Sequence, residues 1–203
     1  MQDLPEELQE KIFLYLRQPE DLFRVCSTSS CQRRICSGSA FWKEKFVCQG
    51  LPMLEEGSSV TRWLQLYTKA RRSAQLADEE LVSLETKGVN LEDLPDLSYL
   101  PGLEETLQPY YDKVKSGGNI EHIIIQTRAV GQPLQEIKIC DDYFVFLAPS
   151  DSGHRYEVTE RRRITHDGVP TRDHSRAIYA SPIMTSDQAW NILYRLFYSG
   201  ILF

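Results

Sequence analysis

The sequence predicts an α+β protein: a small helical module, a helical and acidic connector, and a mostly antiparallel α+β domain. Residues 4–46 carry short amphipathic segments separated by proline and serine. Residues 75–115 concentrate acids, prolines and regularly spaced leucines. Beyond Ser116-Gly117-Gly118-Asn119, β-branched and aromatic runs alternate with turn residues. The boundaries read as 1–48, 49–115 and 116–203.

The first helix opens at Leu4-Pro5. Proline suits a first helical turn, where its missing N–H has no intrahelical partner. Asp3 can cap the helix, and Glu6 and Glu7 set negative charge at the positive end of its dipole. Leu8, Ile12, Phe13 and Leu16 recur at helical spacing and read as one face, with Gln9, Glu10 and Lys11 turned away. Leu4 stands outside that face. Pro19 starts a second segment with Glu20 and Asp21 in its first turn and Leu22, Phe23 and Val25 as its apolar surface. The polar run Ser27-Thr28-Ser29-Ser30 favours a turn. Gln32 to Cys36 reads as a short basic helix stopped at Gly38, and Ser39 as the cap of a helix bearing Phe41, Trp42 and Phe46.

Helices this short cannot bury Leu4, Leu8, Ile12, Phe13, Leu22, Val25, Phe41 and Trp42 among themselves. Either the rest of the chain or a separate partner covers the surplus.

These residues resemble an F-box. The family pattern of Leu-Pro, an acid, an apolar helix ending in Leu, an acid-Leu segment and a Trp-containing aromatic pair is matched without a gap. The matching positions are Leu4, Pro5, Glu7, Leu8, Ile12, Phe13, Leu16, Asp21, Leu22, Val25, Ile35, Phe41 and Trp42. Thr28, Ser29 and Gln32 depart from the pattern and thin its internal core. The resemblance covers roughly the first quarter of the chain. It implies a compact helical unit that binds a Skp-type adaptor and, through it, a cullin–RING ubiquitin ligase. By position, Leu4, Pro5, Leu8, Ile12, Leu22, Val25 and Trp42 are the implied adaptor-facing or supporting residues.

Composition narrows the remaining classes. Hydrophobic content of 41% with 26% charged residues is ordinary for a globular chain and argues against wholesale disorder. A net charge of −6 argues against binding nucleic acid through overall charge. The chain shows no apolar run of the ~20 residues a membrane helix needs, nor a secretory leader pattern, so the expectation is no membrane and a cytoplasmic or nuclear location. Cys26, Cys31 and Cys36 fall at equal spacing, but no C-x-x-C pair exists and no histidine precedes His122. The five cysteines therefore read as small buried thiols in a reducing compartment, with no metal and no cofactor.

Gln49 to Ser59 reads as a connector, and Val60 to Arg72 as a helix capped by Ser59, with Trp63 in a core rather than forming a ligand platform. The leucines at 91, 94, 97, 100, 103 and 107 predict short helical turns or an ordered segment draped on a surface. In the C-terminal domain, strands are expected at Ile120 to Thr127, Leu134 to Cys140, Tyr143 to Leu147, Arg155 to Ile164 and Ala177 to Ala180. Their turns fall at Asp141-Asp142, Asp151-Ser152-Gly153 and His166-Asp167-Gly168, and a helix closes the chain at Asp187 to Tyr198.

Asp173, His174 and Ser175, with His166 and Asp167 near, raise the question of a hydrolase. No G-x-S-x-G, H-E-x-x-H or P-loop occurs, and adjacent strand side chains point to opposite faces. No catalytic residue is therefore assigned. Arg161-Arg162-Arg163, with Arg155, Arg172 and Arg176, is the one basic concentration. It reads as a solvated strand, as salt bridges to the acidic middle, or as a site for phosphate or an acidic segment.

The reading is a non-enzymatic F-box adaptor for a ubiquitin ligase, presenting an unidentified protein substrate on its C-terminal domain. The alternative is a non-ligase binding or structural protein that uses F-box-like helices to sequester the adaptor or for internal packing.

Overall fold

The computed structural model describes residues 4–83, 86–125, 135–150 and 152–202, excepting the side chains of 122–125 and 135–136. Asp3, Thr127, Leu134 and Asp151 therefore lie outside the described residues. The chain is α+β and divides into two compact units, Met1–Leu76 and Ala77–Phe203. The segment 49–115, expected as a connector, is shared between them.

The first unit holds α1 (Glu6–Tyr15), α2 (Pro19–Thr28), α3 (Ser30–Ser37), α4 (Ser39–Cys48) and the start of α5 (Val60–Leu81). Pro5 is the N-cap of α1 rather than a residue of its first turn, and its carbonyl oxygen accepts from the Leu8 and Gln9 N–H groups at 3.0 and 3.1 Å. Pro19 opens α2, with Glu20 and Asp21 behind it. Ser29 separates α2 from α3, and its side chain accepts from the Gln32 N–H. Gly38, not Ser39, occupies the N-cap of α4, and no side chain caps that helix. Ser59 caps α5, its hydroxyl accepting from the Arg62 N–H at 3.2 Å. The helix then runs nine residues past the expected Arg72.

Two further differences concern this unit's interior. Leu8, Ile12 and Phe13 do not share a face: Phe13 and Leu14 are buried with Gln9, whereas Leu8 and Ile12 face solvent. Gln9 is tolerated inside because its Nε2 donates to the Leu4 carbonyl oxygen at 2.8 Å. Cys26 and Cys36 are also not free thiols. The packing of α2 on α3 brings their Cα atoms to 5.7 Å, within bridging range, and they form a disulfide. Cys31, Cys48 and Cys140 are free but not buried as expected: Cys48 is exposed and the other two are half-buried.

The second unit is a five-stranded antiparallel sheet with helices on one face. Its strands are β1 (Lys87–Asn90), β2 (Ile120–Ile125), β3 (Gln135–Ser150), β4 (Gly153–His166) and β5 (Val169–Ala180). β1 and β2 pair with opposite ends of β3 along one edge, β4 pairs with its other edge, and β5 is the terminal strand. Asp167 (φ 48°) and Gly168 (φ 80°) make the two-residue turn from β4 to β5, a conformation that suits Asp-Gly. The helices are α6 (Glu104–Lys115) and α7 (Ser186–Ser199). Thr185 and Gln188 form a capping box at the start of α7, and Gly200 (φ 73°) ends it.

The regularly spaced leucines prove to be core. Leu91, Leu94, Leu97, Leu100, Leu103 and Leu107 pack with Val89, Tyr143, Val145, Tyr156, Val158, Ile192 and Leu196. Short 3₁₀ turns at Leu91–Asp93 and Leu97–Tyr99 turn each successive leucine inward.

Asp141-Asp142 is not a hairpin connection. Both residues lie inside β3, opposite Arg162 and Arg161, and both are buried. Asp141 accepts from Arg162 at 2.7 and 3.0 Å and from Lys113 at 3.2 Å, while Asp142 pairs with Arg163 at 2.6 Å. A buried carboxylate pair persists in a strand because a neighbouring strand presents guanidinium groups on both faces.

Candidate interaction surface

The surface begins with what anchors α1. Phe13 and Leu14 pack inward, and Lys45 crosses the interior from α4 with no exposed surface. Its ammonium donates to the carbonyl oxygens of Phe13 at 2.9 Å, Leu14 at 2.7 Å, and Leu16. These carbonyls end α1, where the helix dipole favours a cation. Burial pushes the Lys45 pKa from 10.5 down to about 8. Tyr67 joins the anchor by donating its hydroxyl to the Arg17 carbonyl oxygen at 3.1 Å. At the other end of α1, Glu6 pairs with Arg34 of α3.

With its inner face held, α1 presents the opposite one. Leu4 is 39% exposed, Leu8 47%, Ile12 36% and Tyr15 82%. The spacing of Leu8, Ile12 and Tyr15 aligns them along one side of the helix, with Leu4 a turn before. Pro5 is exposed with them. Among the sequence-derived residues, the structure thus gathers Leu4, Pro5, Leu8 and Ile12 into an apolar solvent-facing stripe.

Val25 is half-buried, and Leu22 and Trp42 are fully enclosed. Trp42 stacks on Trp63 with centroids 5.8 Å apart, meets Phe41 edge-on at 5.3 Å, and donates its Nε1–H to the Cys36 carbonyl oxygen at 2.7 Å. Leu22 and Trp42 are supporting residues, holding the helices that carry the stripe.

Tyr15 was missed in the sequence, and Phe23, read there as apolar surface of the second segment, was not among the implied adaptor-facing residues. Phe23, 57% exposed, lines a groove of about 620 Å³ with Pro19, Leu64, Thr68 and Arg72. An aromatic residue on the outer side of a helix was the available signal for Tyr15. The groove could not be read, since it needs α2 and α5 side by side. Gln32, one of the departures from the family pattern, is buried, and its Oε1 has no hydrogen-bond partner among the described residues.

The residues that raised the hydrolase question are not assembled into one. Asp173 is held by Arg161, whose Nε donates to its carboxylate at 2.8 and 3.0 Å. His174 pairs in register with Arg162, and Ser175 with Arg161, so His174 faces away from both neighbours. His166 sits at the β4–β5 turn. The basic run pairs with strand carboxylates, Arg161 with Asp173, Arg162 with Asp141 and Arg163 with Asp142, rather than with the acidic stretch 75–115. Among the described residues no cluster of His, Cys, Asp and Glu is arranged to hold a metal ion. No helix among them is long and apolar enough to cross a membrane.

Residues 1–48 match the family model described as F-box-like. Comparison with curated proteins and with solved structures yields no match.

Proposed function

With an F-box-like domain at residues 1–48, a protein-interaction module, we propose that this chain is a substrate adaptor of a cullin–RING ubiquitin ligase. In this reading α1 docks a Skp-type adaptor, which links the chain to the cullin, and the second unit presents a protein substrate. The carrying observation is the outward stripe Leu4, Leu8 and Ile12 within the matched domain. An apolar row on a helix whose other face is already anchored marks an interface more than spare core. Pro5 starts the helix, Val25 adjoins, and Leu22 and Trp42 hold the frame.

The chain itself would carry out no bond chemistry. It acts by proximity, since the transferring thiol and the RING belong to other subunits. Its place would be the cytoplasm or nucleus, where such ligases work. The alternative, adaptor sequestration without a ligase, uses the same stripe and differs only in whether a cullin joins the docked pair.

The test is capture of a purified Skp-type adaptor by the full chain and by Leu8→Asp/Ile12→Asp. The double variant is expected to lose capture while still unfolding cooperatively at a modestly lower melting temperature, because both side chains are partly exposed. Equal capture by the two would remove α1 as the docking face. Ternary capture of a cullin on the adaptor-bound chain then separates ligase from sequestration.

A further inference from the structure

We propose that the outer edge of β5 is the substrate-docking edge of the second unit and takes an extended acidic peptide. This rests on the adaptor reading above. β5 is the terminal strand of the sheet, and among the described residues no strand pairs with its outer side. The outward-pointing half of the β5 backbone N–H and C=O groups, those not turned toward β4, has no strand partner among the described residues. Peptides that add a strand to such an edge gain affinity from the main chain and specificity from alternate side chains.

The alternate side chains here are basic. The register sets Arg172 opposite Ile164, His174 opposite Arg162 and Arg176 opposite Glu160, so the three project from one side of the sheet. All are exposed. Arg176 is steadied by Glu160 at 2.9 Å, whereas the Arg172 side chain makes no hydrogen bond or ion pair among the described residues. The ladder is regular from Arg172 to Ala177, between the two register shifts of the β4–β5 pairing. The opposite side of β5 offers no such row, since Asp173 there is tied to Arg161. In a chain of net charge −6, two arginines flanking a histidine at spacing two along this edge complement a strand with Asp or Glu at alternate positions.

A second determinant lies at the end of that row. Beyond the bulge at Ile178, Tyr179 pairs with Val158 and lines a mostly apolar cavity of about 430 Å³ with Tyr156, Pro101, Leu103 and Met184. A peptide continuing past Arg176 brings its next same-side residue to this cavity. The partner is thus an extended segment with alternating acids beside an apolar residue.

The probe is a fluorescein-labelled peptide of alternating Glu and Thr with Leu at both ends, titrated against the full chain by fluorescence anisotropy. Comparators are a shuffled peptide with contiguous glutamates, an alternating Lys peptide, and the Glu peptide N-methylated at alternate amides. The alternating Glu peptide is expected to bind at least tenfold tighter than all three. Arg172→Glu is expected to weaken it at least tenfold, and Arg172→Lys to retain most of the affinity. Equal binding of the shuffled or Lys peptide, or indifference to Arg172→Glu, overturns the proposal. So does a dimer of the chain in sedimentation that Arg172→Glu dissociates, since the edge then belongs to a second copy. The titration contains no Skp-type adaptor, so its failure and a failure of adaptor capture are separate results.

Discussion

The indole of Trp42 lies on that of Trp63, with centroids 5.8 Å apart and ring planes 6° from parallel. Trp42 belongs to the F-box-like match, and Trp63 lies outside it, on α5. The folded unit therefore exceeds the family match and includes the start of α5. Trp63→Ala should destabilise the first unit by roughly 3–5 kcal/mol, the usual cost of deleting a buried aromatic side chain. Urea denaturation followed by tryptophan fluorescence measures it. A fragment ending at residue 48 should be unfolded where one ending at residue 76 folds.

Lys45 makes the stability of this unit depend on alkaline pH. Its folded pKa of about 8 lies below the ordinary 10.5, so between these values the unfolded chain binds the proton more tightly. Stability contributed by this group therefore rises with pH from about 8 to 10.5. The rise should be absent in Lys45→Met. Urea unfolding of both proteins between pH 7 and 10 gives the difference, and parallel curves would show that Lys45 titrates normally.

The Cys26–Cys36 disulfide closes a short loop, with a sequence separation of 10. Restricting the unfolded chain over such a loop stabilises by about 2–3 kcal/mol. Dithiothreitol should lower the denaturation midpoint of the wild type and leave Cys26→Ala/Cys36→Ala unmoved. Mass spectrometry after alkylation under denaturing conditions, without reductant, should label three cysteines and spare this pair.

Asp141 ties α6 to the sheet through Lys113 and Arg162. Hydrogen bonding from Arg162 holds its carboxyl below the ordinary 3.8. The stability it contributes is thus full above 3.8 and is lost as pH falls through the depressed value. Asp141→Asn should cost about 1–3 kcal/mol at neutral pH, since it weakens charge-assisted bonds whose cationic partners stay partly in water. The variant should also lose less stability than the wild type on acidification below pH 4, as measured by thermal melts.

Much of the local structure was legible in the residues. Pro19 with Glu20 and Asp21, Asp167-Gly168, Ser59 and Asp187 to Tyr198 each encode a start, turn or helix through local chemistry, and each stands where that chemistry puts it. The apolar stripe of α1 was only half legible. Helical spacing placed Leu8 and Ile12 together, but α1 carries apolar residues on two sides, and periodicity cannot say which side faces in.

By itself, the sequence determined the α+β class, the F-box-like module and most helix and turn positions, because those depend on neighbours a few residues apart. Tertiary structure alone decided which side of α1 meets solvent, through Lys45 reaching the carbonyl oxygens of Phe13 and Leu14 from far along the chain. It turned Asp141-Asp142 from a turn into mid-strand residues by setting arginines of β4 beside them. It made core of the spaced leucines and joined Cys26 to Cys36. Each of these outcomes depends on which surfaces meet, and long-range pairing leaves no mark in local spacing.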